Sequence, residues 1–164
     1  MSFVQANHQQ PNTNQEIIMS TSTAELAKPT AQPLDIRAIY EHYVAVYATR
    51  DVEEIKKNHS VDSRFWLHNG GKPVVGRDAI AATFAEAFRL WPQTGFEVYR
   101  TIFHERGWVL DWAMTAVLKG PDGSDRPVRF DALDVVDVDE AGLVCRKDTF
   151  VDSAQVKAAI AAAS

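Results

Sequence analysis

A chain of 164 residues, 46% of them hydrophobic, is long enough for one globular domain with a sizeable core. Its formal charge of -5 and the absence of a Lys/Arg stripe argue against a nucleic-acid partner, and a single cysteine, Cys145, excludes an intrachain disulfide framework and a cysteine-rich zinc site. No basic N-terminal region leads into an apolar segment and no run is long enough to span a bilayer, so the expectation is a soluble, cytoplasmic protein with no membrane partner.

Residues 1–34 are rich in Gln, Asn, Ser, Thr and Pro without sustained periodicity, which predicts a disordered N-terminal tail, with Met19 as an alternative natural start. One domain is expected over 35–164. Asp35 is suited to cap a long amphipathic helix in which Ile36, Ile39, Tyr40, Tyr43, Val46 and Tyr47 recur at helical spacing. Asp51, with Glu54 three residues later, resembles a capping arrangement for a short second helix, whose Lys56 and Lys57 beside Glu53 and Glu54 read as a solvated face. The period then changes. SRFWLH reads as a strand and NGGKP as a turn, and GRDAIAATFAEAFRLWP as a third helix with Ile80, Phe84, Phe88 and Trp91 on one side, stopped by Pro92.

The second half predicts four consecutive strands, FEVYRTIFH, WVLDWAMTAVLK, PVRFDALDVVDV and LVCRKDTFV, followed by a tail helix, SAQVKAAIAAA. PDGSD and DEAG are turn chemistry, so neighbouring strands should pair antiparallel. In the second of these strands Trp108, Leu110, Trp112, Met114, Ala116 and Leu118 share an inner face. Helices followed by a curved antiparallel sheet define an α+β domain in which the helices cover one sheet face.

On the next strand Val128, Phe130, Ala132, Asp134, Val136 and Val138 share a face by the two-residue period, and Asp134 is its only charge. A carboxylate taken from water must be paired, hydrogen-bonded or protonated, so Asp134 is either a functional group or half of a core ion pair. What faces it depends on the last hairpin. With DEAG as a four-residue loop, Val138 opposes Leu143 and Asp134 opposes Lys147, which favours an ionised carboxylate. With Gly142 left-handed in a bulge the pairing slips by one, and Asp134 opposes Asp148 in an acid/base dyad. The first register keeps Leu143 and Cys145 inside and is the favoured one. Asp134, Lys147 and Asp148 are the catalytic candidates that the strands supply. Trp112, Met114 and Phe130 lie on inner strand faces and are candidates to contact a bound molecule, with Trp66 of the first strand. His42, His59 and His68 lack metal-site spacing, and no glycine-rich phosphate loop occurs, so neither a metal nor a cofactor is expected.

The element order, with EHYVAVYATRDVEEI in the first two helices, VVGRDAI opening the third and the hairpin DVVDVDEAGLV near the end, resembles the nuclear transport factor 2-like superfamily. That group includes ketosteroid isomerase, SnoaL-like polyketide cyclases, scytalone dehydratase and limonene epoxide hydrolase. The likeness covers roughly residues 35 to 160 and implies a cone-shaped fold, a curved, mostly antiparallel sheet wrapped around the long N-terminal helix, and an apolar pocket between them, commonly in a homodimer. Carried over from ketosteroid isomerase, Tyr43 matches the tyrosine of the oxyanion hole and Asp134 its aspartic acid, whereas Leu67 falls where the general base would stand. The resemblance implies a cofactor-independent enzyme acting by acid/base chemistry on a small hydrophobic molecule, by isomerisation, cyclisation or dehydration. The alternative is a non-catalytic hydrophobic-ligand-binding or dimerisation domain. An epoxide hydrolase ranks below both, since WVLDWAMTAVL supplies no inward arginine.

Overall fold

A computed structural model describes residues 33–163. The tail expected over 1–34 and the alternative start at Met19 lie outside the described residues except for Pro33 and Leu34, and Leu34 packs against the core. The first helix, α1 (Ile36–Thr49), begins where Asp35 accepts the Ala38 amide at 3.0 Å. The second, α2 (Val52–Lys57), begins where Asp51 accepts the amides of Glu53 and Glu54. Both caps satisfy amides that the first helical turn leaves without carbonyl partners. After them come β1 (His59–His68), β2 (Val74–Val75), α3 (Arg77–Leu90), β3 (Gly95–His104), β4 (Gly107–Lys119), β5 (Asp125–Val138), β6 (Val144–Val151) and α4 (Ser153–Ala163). The strand β1 starts upstream of the SRFWLH pattern, and β2 is too short to leave a periodic signal.

The six strands form one curved, unclosed sheet in the order β2-β1-β6-β5-β4-β3. Every neighbouring pair is antiparallel except β1 and β6, which run parallel and bring the two halves of the chain together. Alternation decides the concave face. Trp108, Leu110, Trp112, Met114 and Ala116 of β4 are buried there beside Val128, Phe130, Ala132, Val136 and Val138 of β5, and Ile36 and Tyr43 of α1 pack onto them. A second cluster, Ile55, Phe65, Ile80 and Phe84, joins α2 and α3 to β1. Full burial of an aliphatic or aromatic side chain of this size stabilises by about 1.5–3 kcal/mol, so these two clusters dominate cohesion.

The final hairpin corrects both registers drawn from the sequence. Gly142 is left-handed, at φ 78, and its amide donates to Asp139 O at 3.0 Å while the Asp139 carboxylate accepts from Ala141 and Leu143, so the turn is a tight one and Val138 pairs with Val144. A second irregularity follows at once, because Asp137 pairs with Arg146 and Cys145 is left as the extra residue. Two shifts of one residue restore the original facing. Asp134 therefore opposes Thr149 rather than Lys147 or Asp148, and Lys147 opposes Val136 on the same inner face. A residue with a Cβ at position 142 would be strained in this conformation and would crowd Ile39 Cδ1 at 3.0 Å. Gly142→Ala should therefore cost about 1–2 kcal/mol in urea unfolding, and an unchanged midpoint would count against the left-handed turn.

Candidate active site

A cavity of about 530 Å3 lies between the concave sheet face and the helices. Its walls are largely apolar. Phe65 and Leu67 of β1, Leu110, Trp112 and Met114 of β4, Phe130 of β5, Phe84 of α3 and Val156 of α4 all line it. The indole N–H of Trp112 is buried without an acceptor, which leaves a donor in the wall unspent.

Asp134 is the one carboxylate among the lining residues. Asp134 is 3% exposed, and both of its carboxylate oxygens are engaged: Lys147 Nζ donates to Oδ2 and Thr149 Oγ1 donates to Oδ1 at 2.7 Å. Lys147 reaches Asp134 along the diagonal of the β5–β6 pair, a span that its long side chain covers. Its side chain is only 8% exposed, so neither charge has more than a trace of solvent. On the other side of Asp134's partner strand, Thr149 pairs with Leu67, which places Leu67 in the cavity wall close to the carboxylate.

The α1 wall contributes Tyr43, whose ring centroid is 5.9 Å from Lys147 Nζ. Its hydroxyl lies 3.4 Å from His59 Nε2, and His59 Nδ1 lies 3.0 Å from Ser63 Oγ. Burial raises the Tyr43 phenol well above its ordinary range, and the neighbouring Tyr47 and Asp134 raise it further, so Tyr43 keeps its proton. Tyr47, also in the wall, is raised by burial and by Asp134 against an opposing effect of Arg50. Burial, reinforced by the Lys147 charge, lowers His59 to about 4.

Tyr43, Asp134, Lys147, Leu67, Trp112, Met114 and Phe130 thus come together around one space. Asp148 and Trp66 do not. Both belong to the opposite sheet face, because the Cys145 bulge turns Lys147 and Thr149 inward and Asp148 outward. There Asp148 bonds His68 Nε2 at 3.2 Å and Arg146 Nε, and the His68 ring lies 4.1 Å from both Trp66 and Phe150. The sheet separates Asp148 from Asp134, so no dyad forms. Three site residues went unassigned in the sequence: Thr149, His59 and Ser63. The signal for the last two was available, since 59, 63, 65 and 67 share parity on β1, but the exposed Val61 interrupts the apolar pattern.

A family model described as SnoaL-like domain matches residues 40–147. No curated protein sequence matches the chain. Among solved structures, a candidate SnoaL-like polyketide cyclase from Shewanella putrefaciens aligns with TM-score 0.68 at 13% identity, over 81% of this chain and 90% of its own. An epoxide hydrolase/cyclase-like enzyme of pyran ring formation in polyether salinomycin aligns with TM-score 0.62 at 15% identity, over 73% and 92%. A ketosteroid isomerase-like protein from Erwinia carotovora aligns with TM-score 0.52 at 16% identity, over 72% and 94%. At these identities the likeness is one of fold.

The buried His59 makes stability depend on pH. In the folded chain its imidazole stays neutral down to about 4, whereas in the unfolded chain it titrates near 6.5. Between these values the unfolded state binds the extra proton, so the contribution is complete above about pH 6.5 and is lost as pH falls through 4. The span corresponds to roughly 3 kcal/mol. Urea unfolding of the wild type and of His59→Gln across that window should diverge by this order, the variant showing the flatter profile; parallel profiles would contradict a buried neutral imidazole.

Proposed function

The chain belongs to the SnoaL-like domain family, and on that premise we propose that it is an enzyme moving a proton on a small, largely apolar substrate held in this cavity, by isomerisation, cyclisation or dehydration. The observation that carries the reading is the single inward carboxylate in a largely apolar wall. Asp134 is the acid/base group. Lys147 and Thr149 each take one acceptor site of the carboxylate and fix its orientation, and each oxygen retains a second lone pair for a substrate proton. Tyr43 is the donor that polarises a substrate carbonyl or hydroxyl oxygen as negative charge develops on it.

This allocation departs from the one implied by ketosteroid isomerase. There the matching aspartic acid is a neutral donor and a separate carboxylate is the base; here Leu67 stands where that base would be and Asp134 is paired with a lysine. An ion-paired carboxylate accepts protons rather than donates them, so the base moves from β1 to β5. Asp-Arg-Asp chemistry of the epoxide hydrolase kind is not favoured, because no arginine lines the cavity among the described residues.

The direct test needs no knowledge of the natural substrate. Small cyclic ketones and 1,3-diketones incubated with the protein in D2O should exchange the protons next to the carbonyl, followed by NMR, and Asp134→Asn, assayed under conditions where circular dichroism shows it folded, should slow this by roughly 10²–10⁴-fold. Exchange indifferent to the substitution would remove Asp134 from the base role.

A non-catalytic ligand-binding domain is the second reading, and the fully engaged state of both Asp134 oxygens is what favours it. The two readings part on a double change. Asp134→Leu alone strands a buried ammonium and should cost about 3–5 kcal/mol, while Asp134→Leu with Lys147→Met should be neutral or stabilising. If the double variant also keeps full proton-exchange activity, the pair is structural and the enzymatic reading falls.

A further inference from the structure

His59 has no exposed surface, lies beside the cavity, and takes no part in the chemistry above. Its ring joins two buried hydroxyls, with Nδ1 at 3.0 Å from Ser63 Oγ and Nε2 at 3.4 Å from Tyr43 Oη. Because burial and the Lys147 charge keep the imidazole neutral, the ring has one N–H and one lone pair, and only two arrangements of hydrogens are open to it.

In the first, Nδ1–H donates to Ser63 and Nε2 accepts from Tyr43. Ser63 Oγ has no other hydrogen-bond partner among the described residues, so its own hydrogen would be buried without an acceptor, and the Tyr43 hydrogen would be turned away from the cavity. In the second, Ser63 O–H donates to Nδ1 and Nε2–H donates to Tyr43 Oη. Every buried hydrogen of Ser63 and His59 then has an acceptor, and the one unspent hydroxyl hydrogen moves from Ser63, which is fully buried away from the cavity, to Tyr43, which lines it and can reach an acceptor there.

We propose that His59 is a positioning residue: Ser63, His59 and Tyr43 form a one-way chain of hydrogen bonds that leaves the Tyr43 hydroxyl hydrogen free for an acceptor oxygen on the molecule in the cavity. Apart from His59, Tyr43 Oη has no hydrogen-bond partner among the described residues, so nothing competes for that hydrogen. Successive donors along such a chain polarise one another and strengthen the last one. The 3.4 Å contact is long, as bonds of this kind are before a ligand tightens them. The final link, from Tyr43 to a ligand, rests on the reading of the cavity as a substrate site. It sets the ligand class as an apolar skeleton bearing a carbonyl-type acceptor next to the position at which Asp134 takes its proton.

The tautomer can be read on the ligand-free full chain by two-bond 1H–15N correlation of the imidazole, with the His59 signals identified by their loss in His59→Gln. A neutral ring with its proton on Nε2 near neutral pH is expected, and Ser63→Ala, which removes the donor to Nδ1, should convert it to a mixture. A proton on Nδ1, or a doubly protonated ring, overturns the proposal. The ligand arm compares 2-acetylnaphthalene, which carries an acceptor, with 2-ethylnaphthalene, which does not, by fluorescence titration. Tyr43→Phe and His59→Leu should each lower affinity for the ketone by about tenfold, the scale of one hydrogen bond, and leave the hydrocarbon unchanged. Both probes binding with a preference that neither substitution alters overturns the proposal. If neither probe binds while the Nε2 proton is present, the hydrogen-bond chain stands and the cavity reading is the one that fails.

Discussion

A carboxylate and an ammonium, both almost removed from water, meet in the wall of an apolar cavity, and the rest of the site is arranged around the need to keep them together. Neither charge is tolerable there alone, since transfer of an isolated ion into such surroundings costs several kcal/mol after relaxation. Thr149 supplies the hydrogen bond that Lys147 leaves open on Asp134, so the pair is closed on the protein side and accessible from the cavity. A well-packed apolar pair would serve stability at least as well. The ion pair is therefore not what holds the two strands together.

Keeping the partners on one face is a matter of register, and β6 achieves it by two small defects. The left-handed Gly142 shifts the pairing by one residue, which alone would turn Lys147 out and Asp148 in. Cys145, the extra residue of a bulge, shifts it once more and cancels the inversion. The same strand then runs parallel to β1 on its other edge and carries Leu67 alongside Thr149. Asp148, turned outward, is compensated separately by His68 and Arg146. One strand thus holds two nearly buried carboxylate or ammonium groups in succession, Lys147 and Asp148, each balanced on its own side of the sheet.

The opposite wall is built from distant parts of the chain. Tyr43 comes from the middle of α1, and His59 and Ser63 from the start of β1, where the strand is irregular before its regular pairing with β6 begins at Arg64. The His59 ring is neutral because burial and the Lys147 charge both disfavour a second proton, so the two walls are coupled electrostatically as well as by shape. Solved structures at 13–16% identity share the fold; which chemistry the cavity of this chain supports turns on the polar groups inside it.

Local rules determined much of this molecule from its residues. Asp35 and Asp51 as caps, the apolar stripes of α1 and α3, the alternation along β4 and β5 and the inward direction of Asp134 all follow from interactions within a few residues, and the family resemblance supplied the architecture that joins them. Inward Lys147 was also legible, though for a reason that proved incomplete: the parity was right while the pairing was two residues away. What local rules could not reach was anything set by a count across strands. The Cys145 bulge has no signature in VCRKD, so Thr149 as the residue opposite Asp134 and the exile of Asp148 emerged only when β5 and β6 were laid side by side. His59 and Ser63 were equally hidden, because their partner Tyr43 lies on another element and only tertiary packing brings an imidazole between two hydroxyls. A side chain's face is a property of its own strand, but its partner is a property of two.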